Sequence, residues 1–299
     1  MTKIATVNFE TSMDKEANLA KMVDFIKQAG EQACDLVVLP EEALTGIGTA
    51  GFVAVSSEDK IGIHRNSELI PEGPSTQLFI ELAKEYGMYI CWGMAERDPE
   101  RDFAYHNCAV LVGPEGYIGK YRKTHLVLTE SLYHFPGTEF PVFDTALGRI
   151  GMYICYDMCF PEVARSLAIK GAELLICLTG WPNITGTEDA AGHIEYMTFQ
   201  KARAAENMVP IVVSTLCGPY LEGNSMILGA TAGKVIAQGG FGEEMVIAEM
   251  DPKKEVVEAR MLSMGGVDLL RDRKPNLYGP LAEPGPFTPF YSCTSSVGA

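Results

Sequence analysis

The chain has 299 residues, 47% hydrophobic and 21% charged, with a formal net charge of −15 at pH 7. That length suits one large layered domain or two smaller ones and buries enough surface to keep a site dry. The acidic balance, with no basic run longer than Arg271-Asp272-Arg273-Lys274, excludes a phosphate-tracking surface, so nucleic acid is not expected as a partner.

Ile4 to Phe9 reads as a strand, and the opening Met1 to Glu10 lacks the apolar core and cleavage site of a signal peptide. Lys15 to Gln28 places Leu19, Met22, Val23 and Ile26 at helical spacing, with Gly30 as the expected stop. Leu36-Val37-Val38-Leu39 is a short, continuously apolar strand closed by Pro40, the pattern of a strand covered on both faces. A helix is expected from about Thr76 to Tyr86, ending at Gly87, then a strand from Met88 to Met94. Asn107–Val112 and Tyr117–Tyr121 flank the turn Gly113-Pro114-Glu115-Gly116 and form a hairpin. Arg149 to Ile154 is a strand, Pro161 to Lys170 a helix closed by Gly171, and Leu174 to Leu178 a buried strand. His193 to Asn207 is a long helix, followed by a strand from Val209 to Ser214. A late hairpin pairs Ser225–Gly229 with Val235–Ala237, and Met245 to Met250 is the last strand. No apolar stretch reaches the roughly 20 residues of a membrane helix, so the chain is expected to be soluble, cytoplasmic and independent of membrane. Alternating strands and helices with interspersed hairpins point to helices covering packed sheets. Residues 1–260 are read as one domain, and 261–299, rich in Pro and Gly, as an extended tail packing on the domain or a neighbouring subunit.

The eight cysteines contain no CxxC pair and no zinc-finger cluster. Most are expected to be buried thiols in a reducing compartment. The histidines His64, His106, His125, His134 and His193 lack metal-ligand spacing. No metal or organic cofactor is expected.

Three patterns at strand ends carry chemistry. In Leu39-Pro40-Glu41-Glu42, an acid follows a buried strand and a proline, and a dry pocket would raise its pKa toward that of a general base. In Lys120-Tyr121-Arg122-Lys123-Thr124-His125, one ammonium fixed in a pocket could hold an oxyanion, though the segment does not say which. In Tyr153-Ile154-Cys155-Tyr156-Asp157, a strand delivers a thiol to a sharp turn before a helix, which resembles a nucleophile elbow. There the N–H of Tyr156 is a candidate oxyanion donor and Asp157 a candidate cap.

The order acid, lysine, cysteine resembles the nitrilase superfamily of carbon–nitrogen hydrolases. Its three signature blocks are matched by the Leu-Pro-Glu, Tyr-Arg-Lys-Thr-His-Leu and Cys-Tyr-Asp-Met-Cys-Phe-Pro-Glu segments. Glu130 stands before Phe135-Pro136-Gly137 as the family's second glutamate stands before its Pro-Gly turn. Arg203 to Asn207 and Arg271 to Tyr278 extend the likeness, which runs from about residue 3 to 280. The resemblance implies Glu41 as base, Lys123 as oxyanion-stabilising lysine, Cys155 as nucleophile and Glu130 as supporting acid. It leaves Glu42 without a role and makes Lys120 and Arg122 structural. It also implies an α-β-β-α sandwich pairing into αββα-αββα dimers, with a homodimer or larger homo-oligomer expected.

Tyr156-Asp157 in place of the Trp-Glu of true nitrilases favours a small amide or carbamoyl compound as substrate. Cys159 in place of an arginine favours a neutral or cationic one. Trp181, Pro182, Asn183, Tyr105 and His106 are the candidate substrate-pocket residues, with core packing as the alternative for Trp181. The rival readings are a thioester-forming acyltransferase, a nitrile hydrolase, a non-catalytic binding or assembly member of the fold, and, more weakly, a metallohydrolase.

Overall fold

The computed structural model describes residues 1–47, 57–262 and 266–282. One half of the sheet is built on β1 (Thr2–Phe9), β2 (Leu36–Val38) and β3 (Tyr89–Arg97), which run parallel. On one side it continues antiparallel through β4 (Tyr105–Gly113) and β5 (Gly116–Arg122). The other half begins with β6 (Val142–Thr145), antiparallel to β7 (Gly148–Ile154). Parallel strands β8 (Leu174–Thr179) and β9 (Ile211–Leu216) follow, then the antiparallel hairpin β10 (Met226–Leu228) and β11 (Val235–Gln238). β12 (Glu244–Met250) returns to lie antiparallel on β1. Among the described residues, the strand ladders of the two halves join where Asn8 and Phe9 pair with Thr215 and Leu216.

Strand alternation sorts the side chains into layers. Ile4, Leu36, Val38 and Cys91 point to the second half, where Cys91 Sγ lies 3.6 Å from Met152 Sδ. The alternate residues Ala5, Val7, Val37, Leu39, Ile90 and Trp92 pack on α1 (Lys15–Glu31) and α3 (Pro74–Tyr86). The outer face of the second half is covered by α4 (Pro161–Ile169) and α5 (Ala191–Asn207) through Leu167, Tyr196 and Ala204. The result is the expected α-β-β-α sandwich. Each fully buried aliphatic side chain contributes roughly 2 kcal/mol.

Local chemistry sets the helix ends. The Asp14 side chain accepts from Ala17 N at 3.1 Å and caps α1. Pro74 opens α3, and Gly87 closes it in the left-handed region at φ 63°. Gly30 does not stop α1, which runs to Glu31; a Cβ there would meet the Tyr86 ring at 2.3 Å, so the glycine admits α3. β9 starts two residues later than expected, because Met208 takes a left-handed turn and Pro210 has no N–H for the ladder.

Helices α2 (Ser57–Asn66) and α6 (Pro252–Leu262) and strand β6 are additions to the sequence reading. α2 buries only Gly62, Ile63 and Asn66 and so shows no apolar stripe. α6 crosses the boundary placed at residue 260. Beyond it, Arg260 grips the buried Asp268 at 2.7 Å, and the chain then runs mostly exposed to residue 282. The remainder of the tail, including Cys293, lies outside the described residues. Among the described residues, no helix is long and apolar enough to cross a membrane.

Candidate active site

Four chain segments converge at the ends of β2, β5, β7 and β8. Pro40 turns the chain after β2 and presents Glu41, which is fully buried. A Cβ at Gly93 would stand 2.5 Å from the Pro40 carbonyl oxygen and 2.6 Å from Glu41 Cα, so glycine lets β3 press on this turn. Lys123 follows β5, its N–H held by the Asn107 carbonyl at 2.8 Å, and its side chain is fully buried. The Pro136-Gly137 turn locks it from the other side. Gly137 N donates to Lys123 O at 2.8 Å, and a Cβ at Gly137 would strike Arg122 O at 2.2 Å. Glu130, on the 3₁₀ turn Leu128–Leu132, is buried in the same pocket.

The Lys123 ammonium lies 2.8 Å from Glu41 Oε1 and 2.8 Å from Glu130 Oε2. The Asn107 amide donates to both carboxylates, at 2.8 Å each. The second Glu41 oxygen accepts from Gly180 N, at the end of β8, at 2.8 Å. Cys155 leaves β7 in the left-handed region at φ 47°, a conformation a non-glycine residue holds only when its surroundings impose it.

Burial pushes the Cys155 thiol well up, and the Glu41 carboxylate adds to this. Lys123, the Thr179 hydroxyl and Gly180 N–H pull it down without prevailing. Thr179 Oγ1 has no full hydrogen bond among the described residues, so its pull on the sulfur is a longer-range one. Cys155 therefore rests as a neutral thiol. Burial raises the Glu41 carboxyl above its ordinary value, although Lys123 opposes this. Burial also works to raise Glu130, but the Lys123 ammonium and His134 outweigh it and hold that carboxyl down at about 2. Burial alone would discharge Lys123; the Glu41 and Glu130 carboxylates outweigh it and keep it cationic.

Residues 3–257 match the carbon-nitrogen hydrolase family model. The chain belongs to the carbon-nitrogen hydrolase family. Omega-amidase NIT2-B of Xenopus laevis is 32% identical to it over 290 residues, spanning 92% of this chain and 96% of that protein. Omega-amidase NIT3 of Saccharomyces cerevisiae is 33% identical over 282 residues, spanning 86% and 89%. The crystal structure of Saccharomyces cerevisiae Nit3, a member of the nitrilase superfamily, matches with a TM-score of 0.74 at 29% identity, covering 87% of this chain and 93% of that one. The protein is a carbon–nitrogen hydrolase of the nitrilase superfamily.

In this hydrolase Glu41, Lys123, Glu130 and Cys155 share one buried pocket. Lys120 and Arg122 instead clamp Glu96, Arg122 at 2.7 and 3.0 Å. Tyr156 packs its ring against Phe160, with the centroids 5.1 Å apart. Trp181 sits in the core against Phe199, with Nε1 bonded to Gly192 O at 2.8 Å. Asn183 is buried and bonded to Glu222 at 2.9 Å, whereas Pro182 is exposed. Tyr105 bonds to His64 on α2. His106 lies on the strand face opposite Asn107 and spends both ring nitrogens, on Asp98 at 2.9 Å and Phe135 O at 2.8 Å.

Sequence reading missed Asn107 as a site residue. The available clue was a polar side chain at the first position of the apolar run Asn107–Val112. Asp157 also does more than cap a turn. Its fully buried carboxylate accepts from Tyr121 OH at 2.7 Å, Thr124 Oγ1 at 2.9 Å, His125 N at 3.1 Å and Ile154 N at 3.0 Å. It thereby ties the residues flanking Lys123 to the elbow that carries Cys155. Asp157→Asn must turn an NH₂ toward these donors. The expected cost is about 2 kcal/mol, read as a lower urea midpoint. Turnover is expected to fall roughly 10²-fold as the two groups drift apart. A variant with wild-type midpoint and turnover would refute this coupling.

Proposed function

We propose that the hydrolase cleaves small open-chain amides through a thioester on Cys155, with Glu41 as base and acid and Lys123 as oxyanion partner. The observation that carries this reading is the fully buried Lys123 ammonium, held at 2.8 Å from each of two carboxylates beside a neutral thiol. Glu41 takes the thiol proton as sulfur attacks the carbonyl carbon. Lys123 Nζ and Tyr156 N–H hold the resulting oxyanion. Collapse breaks the C–N bond, and Glu41 returns the proton to the leaving nitrogen, which departs as ammonia or amine. Glu41 next deprotonates a water that attacks the thioester, releasing the carboxylic acid and restoring the thiol. Glu130 and Asn107 orient Lys123 and Glu41 throughout.

The substrate class follows the same reasoning. The curated relatives named above are omega-amidases, which supports an amide rather than a nitrile. The test is intact-protein mass spectrometry during a screen of short amides, ureas and nitriles. Turnover should coincide with an acyl mass on the peptide bearing Cys155. Turnover with acylation elsewhere would reject the assignment, and product that forms only with added amine would favour acyl transfer.

An intracellular setting is supported by the described cysteines, all free thiols. Pairing into a homodimer through the helical faces is supported by Ile194 on α5, Val257 and Met261 on α6 and Leu277 and Leu281 in the tail, all more than half exposed.

A further inference from the structure

Glu42 follows Glu41 directly, yet its backbone enters the left-handed region at φ 51° and sends its side chain to a different partner. It is almost fully buried. One oxygen accepts from the Thr45 hydroxyl; the other, Oε1, has no hydrogen-bond partner among the described residues. His134 lies between this carboxyl and the catalytic cluster. Its Nε2 is 3.4 Å from Glu42 Oε1, and its Nδ1 is 3.6 Å from Glu130 Oε1. Among the described residues neither ring nitrogen makes a hydrogen bond, and the imidazole is buried. Three polar atoms that lack a full hydrogen bond thus converge beside the site, facing one another in a place where an unpaired polar group is costly.

The groups facing this pair are Glu41 on the turn after β2, Lys123 after β5, and Glu130 and Tyr133 on the 3₁₀ turn. Glu41 and Glu130 set against Lys123 leave one net negative charge. The pair of Glu42 and His134 is neutral when it holds one proton, on either member, and adds a second negative charge when it holds none.

We propose that His134 and Glu42 are positioning residues that share one proton beside the active site, and that losing this proton at alkaline pH weakens activation of the nucleophile. An added charge here favours protonated Glu41 and resists thiolate formation on Cys155. Burial pushes the Glu42 carboxyl up to about 7, with His134 pulling the other way. Two sites for one proton retain it to a higher pH than Glu42 alone would.

The inference rests on Cys155 as nucleophile, so the test reads the thiol separately from turnover. Alkylation of Cys155 by iodoacetamide, followed on its peptide by mass spectrometry, is measured beside kcat/KM for propionamide. At about pH 9 Glu42→Gln should exceed wild type roughly tenfold in both, the effect of one pKa unit. His134→Gln should fall below wild type at about pH 7 to 8, where the wild-type pair still holds its proton. The double variant should recover to at least the wild-type rate, because no carboxyl remains to ionise. A structural role alone would leave the double variant no better than His134→Gln, and that result, or a Glu42→Gln profile overlying wild type, overturns the proposal. Alkylation that follows the expected order without any propionamide hydrolysis supports the pair and counts against the amide reading alone.

Discussion

Cys155→Ala is expected to lower amide turnover by about 10⁴-fold or more, the scale on which hydrolases lose activity with their nucleophile, while the fold persists. The two halves of this expectation have separate causes. Without sulfur no thioester forms, and nothing else described in the pocket can take its place: Glu41 is committed to Lys123, Asn107 and Gly180, and Thr179 offers only a hydroxyl. The structure tolerates the change because Cys155 is small and alanine meets the same left-handed backbone requirement at φ 47°. The cavity left by one sulfur costs roughly 1 kcal/mol. Steady-state rates on an amide that the wild type hydrolyses, taken with urea midpoints, check both halves. Activity within tenfold of wild type would remove Cys155 from the mechanism.

Lys123→Met is expected to damage both rate and stability. Losing one oxyanion donor costs roughly 10²–10³ in rate. Removing the single partner of a buried ion pair costs about 3–5 kcal/mol, because the charges left behind stay buried. Here two carboxylates are left, Glu41 and Glu130, joined by the Asn107 amide. The sign of the pH dependence follows. In the wild type Glu130 titrates at about 2 against an ordinary 4.5. Its contribution, about 3 kcal/mol, is therefore present above pH 4.5 and lost as pH falls toward 2. In the variant burial acts without the ammonium, both carboxyls titrate above their ordinary value, and stability is lost as pH rises instead. The deficit relative to wild type should be largest at about pH 8 and shrink toward about pH 4. Urea midpoints at the two pH values measure this. A deficit that does not vary with pH would mean that Lys123 contributes packing rather than charge.

Both predictions depend on contacts that bring distant parts of the chain together. Glu41 meets Asn107 66 positions away, Lys123 82 positions away and Gly180 139 positions away. No local pattern encodes such contacts. This explains why Asn107 looked like an ordinary strand residue and why His134 and Glu42 drew no functional reading together.

What the sequence alone determined was the layered fold and the candidate site residues Glu41, Lys123, Glu130 and Cys155. The apolar runs Leu36–Leu39 and Leu174–Leu178, the proline before Glu41, the Pro136-Gly137 turn and the elbow at Cys155 are local signals. Backbone conformation and burial periodicity act over a few residues, so such signals can be read in order. The choice of Lys123 over Lys120 and Arg122 needed the family likeness, and its physical basis emerged only when β5 was seen sending Lys120 and Arg122 to Glu96. Helices α2 and α6 escaped because neither shows a continuous apolar stripe to mark it. Tertiary structure decided the protonation of the site: a neutral thiol, a raised Glu41, a depressed Glu130 and a lysine kept charged without water. Those states come from desolvation and from charges a few ångströms apart in space, and a linear sequence specifies neither until the chain has folded.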